Sequence, residues 1–136
     1  METIVVKVSW CEHNFGATLG DNVPGAVVIT AKTYDELIRE VGETLKFHVE
    51  GLIAGGDEVP QWLRDGDYKF EFHHDAAALL QMCAPYTSIA AISRVSGINK
   101  HQLSHYANGL QKPRPTQHNR IIEGIHKIGQ ELISVE

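Results

Sequence analysis

Gly97 does more than any other residue to limit how this chain can fold. It lies inside IAAISRVSGINKHQLSHYANG (residues 89–109), between two short stretches whose apolar side chains have helical spacing. A turn joining two helices at a steep angle needs a residue that accepts positive φ, and glycine does so without steric cost. Ile92 precedes Gly97 by five residues, Ile98 follows it by one, and Leu103 and Tyr106 follow by six and nine. Those spacings turn the four side chains toward each other across two crossed helices, expected at 88–96 and 99–108. Between them Asn99, Lys100, His101, Gln102, Ser104 and His105 are all polar and face outward. The pattern is that of a helix-turn-helix unit. Its plainer alternative is a helical hairpin with a solvated face.

Charge favours the first reading. Residues 1–93 hold six Lys/Arg and fourteen Asp/Glu, a net of −8, whereas residues 94–136 hold six Lys/Arg and three Asp/Glu, a net of +3. Between Arg94 and Lys127 Glu123 is the single acid, and four histidines add partial positive charge. Affinity for DNA answers to the local field and to released counterions, so the overall −5 does not argue against it. A helix rich in Lys, Gln, Asn and His on its outer face suits a major groove. Asn99 is the expected cap of that helix, and Ser104 shares its outward face. Lys100, His101, Gln102 and His105 are candidates for base edges, with Gln matched to adenine and Lys to guanine. Thr87 and Ser88, opening the preceding helix, are expected to hold a phosphate through hydroxyls and backbone N–H groups. Lys112 and Arg114 add charge from the loop that follows. One such unit makes few contacts, so a homodimer or higher homo-oligomer reading half-sites about 34 Å apart is expected. Its dimer surface would be the apolar C-terminal helix through Val135 or an N-terminal sheet edge.

The rest of the chain reads as α+β. Residues 3–10 alternate around Ile4, Val6, Val8 and Trp10, the period of a strand with one buried face. A polar turn and a second strand at 15–19 complete a hairpin. Turn residues Asp21-Asn22 and Pro24-Gly25 precede a third strand, 26–30, expected to be fully buried. Thr33 and Glu36 form a capping box for a helix reaching about residue 53, with Leu37, Val41, Leu45, His48 and Leu52 on one stripe. A loop at 54–67 leads to a fourth strand, 68–74, with Tyr68, Phe70 and Phe72 on one face. From there the pattern is helical: 76–83, the two helices around Gly97, and about 116–133 with Ile121, Ile122, Ile125, Ile128, Leu132 and Ile133. The change from strands to helices nearly coincides with the change of charge sign. Two domains follow, 1–75 and 76–136.

Two resemblances lie on these residues. The helical part resembles a repressor domain of the lambda-repressor/Xre class through Gly97, Ile98, Leu103, Tyr106 and the Asn108-Gly109 pair. Ser93 departs from it, standing where that class usually has alanine; serine is nearly isosteric and can bond its own helix carbonyl. The β-β-β-α-β part, with Val23-Pro24-Gly25-Ala26-Val27 before a strand and Thr-x-Asp-Glu-Leu opening a helix, resembles the HicB-like antitoxin domain, a partial RNase H-like fold without nuclease activity. Together they cover nearly the whole chain, in the order of HicB antitoxins that carry a helix-turn-helix. The resemblance implies an antitoxin that binds and neutralises a co-encoded HicA-type mRNA-cleaving ribonuclease and represses its own operon. It also implies a phosphate contact for Asn108. An acidic N-terminal part suits such a small basic toxin, though it would suit many basic partners. The alternative is a stand-alone transcription regulator whose N-terminal domain senses a ligand or oligomerises.

Other chemistries find little footing. A metal-dependent nuclease needs several carboxylates converging on divalent ions, and here the first strand offers Lys7 and Ser9 while Glu43 and Asp57 lack evident partners. His101 and His105 have a zinc-compatible spacing but no neighbouring Cys or acid. His73-His74 reads as a strand end, and the Tyr68–Phe72 aromatics as a packed sheet face rather than a base-stacking platform. No phosphate-cradling glycine loop or nucleophile motif is present, and no cofactor is expected. Cys11 and Cys83 form no CxxC pair and are expected as reduced, partly buried thiols. No apolar run approaches the roughly 20 residues of a membrane span, and no secretory leader is evident, so a cytoplasmic location is expected.

Overall fold

The computed structural model describes residues 1–136. It is mixed α+β, with one four-stranded sheet and six helices, and separates into two compact units, Met1–Asp75 and Ala76–Glu136. No helix is long and apolar enough to cross a membrane.

In the first unit β1 (Glu2–Cys11) and β2 (Asn14–Leu19) form an antiparallel hairpin. Its two turn residues, Glu12 and His13, both have positive φ, at 51° and 69°, as the right-handed twist of a two-residue hairpin demands. β3 (Val28–Ala31) adds antiparallel to β2, and β4 (Tyr68–His74) adds parallel to β1, giving the order β3-β2-β1-β4. The parallel pair is reached by a crossover through α1 (Tyr34–Ala54), which Thr33 caps by accepting from the Glu36 N–H at 3.2 Å. Alternate residues Ile4, Val6 and Val8, with Phe15, Ala17, Ile29 and Ala31, are buried on one face, as are Leu37, Val41, Leu45 and Val49 of α1. On the opposite face Lys7, Ser9, Thr18, Thr30, Glu71 and His73 are exposed.

Three features differ from the sequence reading. The third strand starts at Val28 rather than residue 26 and is an edge strand, buried on alternate residues only, because one face of the sheet is left uncovered. A short apolar run does not distinguish a central strand from an edge. The buried stripe of α1 continues through Val49, while His48 turns aside and donates from Nε2 to the Pro24 carbonyl at 2.6 Å. That bond ties the Pro24-Gly25 turn to the helix, and Gly25 has φ +81° with His48 where a Cβ would sit. The loop at 54–67 contains a short helix, α2 (Gln61–Arg64), which buries Leu63.

The second unit packs α3 (Ala76–Cys83), α4 (Ile89–Ser96), α5 (Lys100–Ala107) and α6 (Pro115–Ile133) around Leu79, Leu80, Ile92, Ile98, Leu103, Tyr106 and Ile121. The α6 stripe is narrower in practice than its sequence suggests: Ile121 is buried, Ile122, Ile125 and Ile128 are partly so, and Leu132 and Ile133 are exposed. Both cysteines are free thiols; Cys83 is buried, but Cys11 is exposed rather than partly buried.

Candidate nucleic-acid interface

The turn between α4 and α5 is fixed from several sides. Ser88 caps α4 by accepting from the Ala91 N–H at 3.0 Å, and Gly97 ends it in the left-handed region, φ 74° and ψ 9°. Ile92, Ile98, Leu103 and Tyr106 are all buried, so the two helices meet through the four side chains that the spacing singled out. Ser93 Oγ donates to the Ile98 carbonyl at 2.6 Å, across the turn rather than back along its own helix as expected. Ser96 Oγ accepts from the Ile98 N–H at 3.2 Å. From α6, Arg120 Nη2 donates to the Ser96 carbonyl at 2.9 Å and lies where a Cβ on Gly97 would be, 2.8 Å away. A guanidinium at a helix C-terminus meets both an orphan carbonyl and the negative end of the dipole. Sequence reasoning missed Arg120, because nothing local links it to a carbonyl 24 residues away.

Helix α5 opens on Asn99, whose side-chain oxygen accepts from the His101 N–H at 2.7 Å. It closes on Asn108, and Gly109 (φ +72°) reverses the chain while Leu110 N–H bonds the His105 carbonyl at 2.9 Å. This is the paired closure that satisfies the last carbonyls of a helix. The outer face between these caps carries Lys100 and His101, exposed, and Gln102, Ser104 and His105, half-buried. The two imidazoles meet at a tilt of 58° with ring centroids 4.4 Å apart, and no cluster of three His, Cys, Asp or Glu that could hold a metal occurs in the chain. Gln102 Nε2 donates to Gln111 Oε1 at 2.6 Å, which steadies its amide and leaves its own carbonyl and second N–H free. Gln111 had no signal in the sequence.

The structure brings part of the candidate set together. Asn99, Lys100, His101 and Ser104 line one open concavity with Ile89 and Ser93 of α4. Thr87 and Ser88 stand at the start of α4, but the Thr87 N–H is already bonded to the Cys83 carbonyl at 3.0 Å. An anion there would meet the two hydroxyls and the open N–H groups of the first turn of α4, but not the Thr87 amide. Asn108 Nδ2 donates to the Ser104 carbonyl at 2.9 Å, with its second amide proton still available. Lys112 and Arg114 are exposed on the loop between α5 and α6, outside the concavity. None of the Lys or Arg residues in this unit is paired with a carboxylate; the contact of His73 Nε2 with Glu71 Oε1 at 2.8 Å lies in the other unit. The six cations of residues 76–136 therefore keep their field against three acids, while residues 1–75 carry the net −8. The chain matches no protein-family model, and comparison with curated proteins and with solved structures gives no match either.

Proposed function

We propose that residues 76–136 are a helix-turn-helix DNA reader and that the whole chain is a HicB-like antitoxin, neutralising a small basic HicA-type ribonuclease and repressing its own operon. One observation carries the DNA-binding part. A left-handed glycine turn crosses two capped helices over a buried seam, and the outer face of the second bears polar groups and unpaired cations. In this reading α5 enters the major groove N-terminal end first. Lys100, His101, Gln102 and His105 reach base edges, and Thr87, Ser88 and Asn108 take phosphates. Lys112 and Arg114 add charge against the backbone, and a two-fold dimer supplies two half-sites.

The antitoxin part draws its support from the first unit. An antiparallel β1-β2-β3 meander extended by a parallel β4 after one crossover helix fits a partial RNase H-like sheet. Its net charge of −8 suits a partner with a basic RNA-binding surface.

Two experiments test the two halves. Gel-shift titration of the full chain against the DNA upstream of its own gene should show tighter binding than to random duplex; equal affinity at matched salt would end the repressor reading. Expression of the adjacent reading frame alone should arrest growth, and the full chain should relieve it. Arrest without relief would leave a stand-alone regulator.

A further inference from the structure

The first unit carries an apolar site that its own core does not use. Phe47 and Val28 are 78% and 67% exposed, the most open large apolar side chains of this unit after Met1. They are not scattered. Both border one concavity of about 320 Å³ between the chain entering β3 and the second half of α1, lined also by Ala26, Val27, Thr44, His48, Gly51 and Leu52. The concavity adjoins the outer edge of β3, whose backbone groups have no partner strand beyond them. An aromatic beside a groove and an open strand edge is the arrangement that docks an extended or helical segment of another chain.

The rim says which chain. On α1 Phe47 is bracketed by Glu43 four residues before it and Glu50 three residues after it, both exposed and neither in an ion pair. Lys46 is the one cation among residues 40–50, against Glu40, Glu43 and Glu50. A second copy would bring the same carboxylates and the same −8 unit against itself, with like charges facing across the rim. A cationic protein would instead find an apolar anchor with a carboxylate on either side of it along α1.

We infer that the Phe47–Val28 groove is the docking surface for a small basic protein, which inserts an apolar side chain beside Phe47 and sets cations against Glu43 and Glu50. The inference rests on the antitoxin reading and names the surface that reading leaves open. Both anchors are largely solvent-exposed, so replacing them leaves the core of the unit intact.

The test uses the full chain and the purified product of the adjacent reading frame, inactivated for RNA cleavage, in titration calorimetry and stopped-flow binding. Phe47→Glu should weaken binding at least about tenfold, as loss of a central aromatic anchor does. Glu43→Lys with Glu50→Lys should slow association several-fold at low salt, with the difference shrinking as salt rises. Operator binding by both variants should match that of the unaltered chain. Failure of the unaltered chain to bind the neighbour's product would defeat the antitoxin reading together with this surface. Binding that survives Phe47→Glu unchanged would overturn the surface alone. If Phe47→Glu converted a dimer into monomers in light scattering, the groove would be a self-interface, and the inference would again be wrong.

Discussion

Replacing Gly97 by alanine tests whether the turn is held by geometry and by Arg120 together. The residue sits at φ 74°, where an L side chain loses about 1.5 kcal/mol relative to glycine. The new Cβ would lie 2.8 Å from Arg120 Nη2, so the guanidinium must swing away and its bond to the Ser96 carbonyl is lost. At a partly exposed site that charged bond, with its helix-end interaction, is worth about 1 kcal/mol. Alanine's smaller freedom in the unfolded chain offsets about 0.5 kcal/mol. The net is a loss of about 2 kcal/mol, or on the order of 10 °C in the melting of so small a unit. Urea and thermal unfolding followed by circular dichroism at 222 nm measure it. Trp10 and Trp62 lie in residues 1–75, so tryptophan fluorescence follows that unit separately. In an Arg120→Ala background the same glycine change should cost only about 1 kcal/mol, since the bond is already gone. An equal cost in both backgrounds, or a loss under about 0.5 kcal/mol, would refute the reasoning.

Other expectations are simpler to check. Ser93→Ala removes the donor to the Ile98 carbonyl and should destabilise by about 1 kcal/mol in urea titrations, although alanine packs as well there. Lys112→Ala should weaken binding to every duplex and flatten the salt slope by about 0.9, whereas Gln102→Ala should cost up to about 3 kcal/mol on the preferred sequence and little on random DNA, both read by fluorescence anisotropy. Burial pushes the Cys83 thiol up, so the folded chain keeps a proton that the unfolded chain releases. Stability should therefore hold below about pH 8.5, the ordinary thiol value, and fall as pH rises through the raised one. The Tyr68 hydroxyl, also raised by burial, adds to the fall at higher pH. Iodoacetamide should label Cys11 at once and Cys83 only on unfolding, which mass spectrometry of the native and urea-treated chain distinguishes.

What could be seen in the sequence was local. Alternation in β1, the Thr33 and Asn99 caps and the seam of Ile92, Ile98, Leu103 and Tyr106 depend on spacings of ten residues or fewer, which periodicity and capping chemistry register. What escaped was set by partners far along the chain. Whether Val28–Ala31 is an edge depends on which strands pair, not on its own composition. His48 and Val49 are neighbours, and the first is tied to the Pro24 carbonyl, 24 residues back, while the second enters the core. Helix α2 is four residues in a stretch dominated by Gly, Asp and Pro, too short for any period to show. In the candidate interface the outward residues of α5 were visible, but the braces from Arg120 and Gln111 were not, because each crosses a gap with no sequence signature.

The parallel pairing of β1 with β4 has a consequence for the order in which the chain acquires structure. Glu2 lies opposite Tyr68 and Val8 opposite His74, so every contact of that ladder closes a loop of 66 residues. Such closures are slow compared with the formation of short helices packed on near neighbours. During synthesis β1 and β2 can zip as soon as they emerge, but β1 waits with one edge open until β4 has left the ribosome. The helical unit, made last, closes shorter loops, such as the 24 residues spanned by the Arg120–Ser96 bond. A nascent chain halted before residue 68 would thus display an unpaired, apolar strand edge, a template for mispairing and a ready substrate for proteases.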